Sequence, residues 1–124
     1  MYIERQTNLD LTNFHFPVTA IVSIFHRISG FILFLCMPLM FYLLYQSTLS
    51  EVSFLSLQRL LGHSWMKIII WITLSSILFH LFSGMRHLAM DCGFGESVYA
   101  GRITACTVFI ISFIAVVLVG IWIW

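Results

Sequence analysis

The chain has 124 residues, 60% of them hydrophobic and 9% charged, with a formal net charge of +1. A soluble domain carries about 25% charged residues, so this composition excludes an ordinary water-facing surface and points to lipid as the solvent. With so small a charge there is no basic face to track phosphates, and nucleic acid is excluded as a partner.

Residues 1–17 read as a polar tail with Glu4 and Asp10. It lacks the basic start, apolar run and small-residue cleavage site of a signal peptide, so it is expected to remain in the mature protein. The tail ends at Phe16-Pro17, and proline suits the first turn of a helix. A first helix is expected over about 18–45, uncharged from Ile28 to Tyr45 and kinked locally at Pro38. Residues 46–64 carry Ser47, Ser50, Glu51, Arg59 and His63 and read as a connection, with a short surface helix near Phe54 to Leu61. A second helix is expected over about 65–90. Trp65 and Lys67 suit its interfacial start, one as a belt aromatic and one by snorkelling. Asp91, Gly93, Gly95, Glu96 and Gly101 mark a loop. A third helix over about 102–124 ends in Trp122 and Trp124. The reading is an all-α integral membrane protein: a tail over 1–17, then a three-helix transmembrane domain over 18–124.

Cys36, Cys92 and Cys106 stand apart, with no CxxC pair or metal spacing. No iron–sulfur centre is expected in this chain, and Cys36 and Cys106 read as small packing residues. An odd number of spans puts the two ends on opposite sides. Arg5, Arg27, Arg86 and Arg102 then share the N-terminal side, with Arg59 and Lys67 on the other. The positive-inside rule places the N-terminus in the cytoplasm.

Polar residues within spans are expensive and mark function. Ser23, His26, Arg27 and Gly30 follow the i, i+3, i+4, i+7 spacing of one helix face. One reading has Arg27 snorkelling to headgroups and His26 at the interface. The other is a pocket for an anionic or carbonyl-bearing ligand, since arginine holds a propionate or a quinone oxygen and serine donates to a carbonyl. Ile24 and Ile28 flank that face as apolar packing for a ring or tail. On the second helix, His80, Gly84 and His87 share a face, with Ser83 and Arg86 beside it. His80 lies about 10 Å deeper than His87 at about 1.5 Å per residue. A neutral imidazole can ligate haem iron, and Gly84 lets a flat cofactor approach the backbone. The competing reading of His80 is a helix–helix hydrogen bond. On the haem reading His87 lies near the propionates. His26 reads as nearer the surface than His80, so the second axial ligand is expected from another chain.

The same residues carry a resemblance. Asn8-Leu9-Asp10-Leu11 precedes Phe16-Pro17-Val18-Thr19-Ala20-Ile21, then Ser23-Ile24-Phe25-His26-Arg27-Ile28-Ser29-Gly30, and later His80-Leu81-Phe82-Ser83-Gly84-Met85-Arg86-His87 ending at Asp91. The chain resembles the larger cytochrome b membrane subunit of bacterial succinate dehydrogenase over nearly its whole length. It departs at Gln6, where that family often has proline.

The resemblance implies a set of roles. Ser23 and Arg27 match ubiquinone-site residues. His80 matches the axial haem ligand, and His26, Arg27 and His87 match positions near the propionates. It implies half of a heterodimeric anchor that shares haem b with a second membrane subunit. It also implies an iron–sulfur subunit and a flavoprotein subunit as partners, ubiquinone as substrate, and the bacterial inner membrane as location. On this reading the chain does no chemistry on succinate itself but belongs to a succinate:quinone oxidoreductase.

Two other functions compete. A fumarate reductase anchor would run the reaction in reverse with menaquinone. A transporter or channel subunit would line a polar path with His26, Arg27 and His80, but Phe31 to Leu44 offers no such path beyond Tyr42.

Overall fold

A computed structural model of the chain describes residues 17–95 and 97–124. Apart from Pro17, the tail read over residues 1–17 lies outside them. Four helices follow in order: α1 (Val18–Leu49), α2 (Glu51–Leu61), α3 (Ser64–Asp91) and α4 (Val98–Ile123). No strand occurs among the described residues. By length and composition α1, α3 and α4 can each cross a membrane. At about 1.5 Å per residue they extend roughly 48, 42 and 39 Å. All three exceed a hydrocarbon core of about 30 Å, so their ends reach into the headgroup zone or beyond.

Local chemistry sets the boundaries. Pro17 stands at the N-cap of α1, where the missing N–H costs nothing. The helix continues through Pro38 and past Tyr45 to Leu49. Ser50, in extended backbone, then ends α1 and caps α2, its Oγ accepting from the Ser53 backbone N–H at 3.1 Å. Glu51 in the first turn of α2 and Arg59 in the last suit the helix dipole. The loop after α3 uses Gly93 and Gly95 at φ 84° and 77°, a region that glycine enters without penalty. α4 starts at Val98, ahead of Arg102, because Ser97 caps it by accepting from the Ala100 N–H at 3.2 Å.

The three long helices pack up–down–up, as their contacts show. Trp71 near the start of α3 meets Val116 near the end of α4, while Arg86 near the end of α3 meets Gly101 near the start of α4. Thr73 of α3 reaches Cys36 of α1, and His80 reaches His26. The core is a cluster of Val22, Ala105 and Val108, with Val18, Phe79, Phe82 and Phe109 packed on it. Phe25, Phe79 and Phe109 complete a ring trio with centroid spacings of 6.0, 5.9 and 5.8 Å. Small residues (Thr73, Ser76, Ser83, Gly101, Ala105 and Ser112) fill the closest approaches, as membrane helix interfaces prefer. Large apolar side chains cover the outside: Phe34 is 67% exposed and Trp122 81%. Such a surface suits lipid or a protein partner, not water. Cys106 is exposed on this face and Cys36 is half-buried; all three cysteines are free.

Candidate functional site

Three imidazoles meet between α1 and α3. The His26 and His80 rings stack at a centroid distance of 4.1 Å and an interplanar angle of 16°. The His87 ring lies 5.1 Å from that of His26. His26 therefore lies level with His80 rather than nearer the surface, because antiparallel packing brings the first third of α1 beside the second half of α3. Gly30 makes room for the stack: a Cβ there would lie 3.1 Å from His80 Cε1, whereas one on Gly84 would meet His26 Nε2 at 3.6 Å, an ordinary contact. The open space expected over Gly84 is thus taken up by the His26 ring.

The hydrogen bonds indicate which nitrogen of His80 carries the proton. His80 Nδ1 lies 3.2 Å from the His26 carbonyl oxygen and 3.1 Å from Ser29 Oγ. A carbonyl only accepts, so Nδ1 is the protonated nitrogen. Ser29 Oγ donates its own hydrogen to the His26 carbonyl at 2.8 Å, leaving its lone pairs to accept from Nδ1. His80 Nε2 then holds an in-plane lone pair. This is the arrangement of a metal-ligating histidine whose other N–H is anchored by a backbone carbonyl. His26 Nε2 is buried with no hydrogen-bond partner. An unsatisfied buried nitrogen calls for an external polar group.

The donor set suits a haem better than a bare ion. Among the described residues no group of three or more histidines, cysteines or carboxylates converges on a point that would hold a metal ion. The stacked rings turn π-faces, not lone pairs, toward each other, so no iron fits between His26 and His80. His80 has Nε2 free to ligate, since its hydrogen bonds engage Nδ1, and the unpaired His26 Nε2 suits a propionate oxygen. α4 packs on α3 through Trp71 and Arg86.

The other residues singled out in the sequence stand on the outer side of α1. Ser23 is half-buried, whereas Arg27, Ile24 and Ile28 are exposed. Ile28 also lines an apolar groove of about 320 Å³ with Phe25, Ile32, Ile72 and Phe79. Sequence reading gave Ser29 no role of its own. Its signal is its place one turn beyond His26, a hydroxyl on a face already marked by imidazole. Arg86, read as a neighbour of the histidine face, instead turns into the α3–α4 interface. Its Nε donates to Thr104 Oγ1 at 3.1 Å and its Nη2 to the Gly101 carbonyl at 3.2 Å.

Comparison with known families decides the affiliation. The model of the succinate dehydrogenase/fumarate reductase transmembrane subunit matches residues 1–119. The chain belongs to this family. A succinate dehydrogenase cytochrome b556 subunit from Coxiella burnetii is 65% identical, with both chains covered in full. A cytochrome b560 subunit of succinate dehydrogenase from Reclinomonas americana is 34% identical over 93% of this chain and 86% of its own. A cytochrome b556 subunit from Rickettsia prowazekii is 28% identical over 98% and 94%. As a transmembrane subunit of this family, the chain is a membrane protein, and its three apolar helices are the spans.

Proposed function

We propose that the chain binds haem b through His80, shares it with a second membrane subunit, and forms part of a ubiquinone-reduction site through Ser23 and Arg27. Its work as a transmembrane subunit of a succinate dehydrogenase rests on the family match and on relatives that carry that name. The binding roles rest on one observation above the others: His80 Nδ1 is held by the His26 carbonyl and Ser29, which leaves Nε2 for iron.

Haem, when bound, supplies a one-electron carrier within the span. The chain's residues do the rest. His80 would hold the iron through Nε2. His26, through its unpaired Nε2, and His87 beside it would donate to the propionates. Arg27 supplies positive charge at the same level. Stacking turns a ring face of His26, not its lone pair, toward His80, so a second ligand to the iron would come from the partner membrane subunit. Ser23 donates to a quinone carbonyl, Arg27 favours the anionic reduced forms, and Ile24 and Ile28 pack the ring or tail. Electrons arrive from succinate through the flavoprotein and iron–sulfur subunits. The tail and the N-terminal end of α1 lie on the cytoplasmic side of the bacterial inner membrane, where those soluble subunits dock.

The test is the reduced-minus-oxidised spectrum of the purified complex, before and after His80→Ala. A b-type spectrum that the substitution removes or grossly alters is expected. A colourless complex, or an unchanged low-spin spectrum in the variant, overturns the reading.

A further inference from the structure

We infer that Ser29 is a positioning residue for the haem ligand. It sets the tautomer and ring orientation of His80, and through them the redox potential of the iron. The inference rests on the proposal that His80 binds haem, and it extends the hydrogen bonds that hold the His80 ring to the potential of the iron.

Ser29 is 5% exposed and sits on the face of α1 turned to α3. Its hydroxyl joins two partners from different helices: its hydrogen goes to the His26 carbonyl at 2.8 Å and its oxygen faces His80 Nδ1 at 3.1 Å. The His26 carbonyl lies within reach of the same Nδ1 at 3.2 Å. The Nδ1–H is thus shared by two acceptors that hold the ring at a fixed rotation. Gly30 completes the seat, because any Cβ there would press on Cε1 at 3.1 Å. The His26 carbonyl is a helical acceptor with other claims on it. The Ser29 oxygen is therefore the one acceptor in the pair that a side-chain change can remove.

Electron density donated to Nδ1–H makes the imidazole a stronger base at Nε2. A more basic ligand stabilises ferric iron over ferrous and lowers the midpoint potential. Removing the Ser29 oxygen should act in the opposite sense. If most of the worth of that one hydrogen bond acts on one oxidation state, the ferric-to-ferrous equilibrium changes by up to about tenfold, or about 59 mV for one electron.

The experiment is redox titration of the haem in the assembled complex, for wild type, Ser29→Ala, Ser29→Thr and His80→Ala. Ser29→Ala should keep its haem and raise the midpoint potential, with a shift in the ferrous absorption bands. Ser29→Thr, which keeps the hydroxyl, should return the potential toward wild type. Three results overturn the inference: an unchanged potential in Ser29→Ala, the same shift in Ser29→Thr, or loss of haem from both serine variants, which would mark a packing role. If Ser29→Ala alone loses haem while Ser29→Thr keeps it at the wild-type potential, the inference stands. His80→Ala separates the two levels of the argument. If it leaves the spectrum unchanged, the haem reading fails and the role of Ser29 fails with it. If it removes the spectrum while Ser29→Ala does nothing, only the role of Ser29 fails.

Discussion

The guanidinium of Arg86 is held between α3 and α4 by the carbonyl of Gly101 at 3.2 Å, with Thr104 Oγ1 at 3.1 Å completing the fork. Arg86 is only 7% exposed, so a full charge is buried at the end of the bundle where α1 begins. Gly101 is itself buried in α4. Thr104 is set in turn by its own bond back to the Gly101 carbonyl at 3.2 Å.

Arg86→Leu should therefore loosen the α3–α4 pair. Hydrogen bonds to charged groups contribute about 1.5–3 kcal/mol, and the leucine removes the bonds from Arg86 to Thr104 and to the Gly101 carbonyl. A lower Tm of the detergent-solubilised complex is expected. Arg86→Lys should recover only part of the loss, since an ammonium cannot reproduce the planar fork. Thr104→Ala should be milder than Arg86→Leu, because Nη2 keeps its carbonyl. An unchanged Tm in Arg86→Leu would show that the fork contributes nothing to the assembled state.

Much of this architecture is legible in the sequence, and its limits have a physical cause. Three uncharged runs declare three spans, because backbone groups in lipid must be satisfied within the helix. The polar face of α1 at Ser23, His26, Arg27 and Gly30 and that of α3 at His80, Gly84 and His87 follow from helical spacing alone. The partner of each face does not. In lipid both the outside and the inside of a bundle are apolar, so hydropathy no longer marks the interior. Sequence spacing gave His26 a shallower place than His80, while antiparallel register stacks the two rings. Gly84 reads as an open seat until the helix carrying His26 is placed across it. Arg86 reads as a neighbour of the histidine face until Gly101 and Thr104 are seen to hold it. Each difference is one of register between helices, which the one-dimensional pattern does not encode.

The three histidines should separate by role. His80→Ala should abolish or greatly alter the b-type spectrum of the complex. His26→Ala and His87→Ala should shift the spectrum or potential while haem remains bound, since neither supplies the ligating nitrogen. His26→Ala should also release one face of the His80 ring, so its shift should be the larger of the two. Retention of a wild-type spectrum in all three variants would remove this cluster from consideration as a haem site.

Topology is open to direct measurement. Arg5, Arg27, Arg86 and Arg102 share one side of the membrane in a three-span arrangement, against Arg59 and Lys67 on the other. The side richer in arginine and lysine faces the cytoplasm. A reporter fused after Trp124 should behave as exported, and one fused in the α3–α4 loop as cytoplasmic. The reverse pattern would turn the proposed docking face to the wrong side of the membrane.

The last prediction concerns the quinone. Ser23 and Arg27 stand one turn apart on α1, Ser23 half-buried and Arg27 exposed, with Ile24 and Ile28 exposed beside them. This side of the helix is not consumed by packing within the chain, so it is free to build a site with partner subunits. A quinone carries a carbonyl at each end of its ring, and reduction builds negative charge on those oxygens. A hydroxyl donor fixes one carbonyl, and a fixed cation nearby favours the anionic intermediates. Ser23→Ala and Arg27→Leu should each slow succinate-dependent ubiquinone reduction while sparing succinate oxidation by an artificial acceptor that draws electrons upstream. Losing a hydrogen bond to a charged partner costs about 1.5–3 kcal/mol, roughly ten- to a hundred-fold in rate if fully expressed in the transition state. Arg27 also lies beside His26 in sequence, so its loss is expected to disturb the haem spectrum as well, whereas Ser23→Ala should leave that spectrum alone. That difference makes Ser23 the cleaner probe. If the Ser23→Ala complex assembles, keeps its haem spectrum, and reduces ubiquinone at the wild-type rate with unchanged KM, then the quinone does not bind this side of α1.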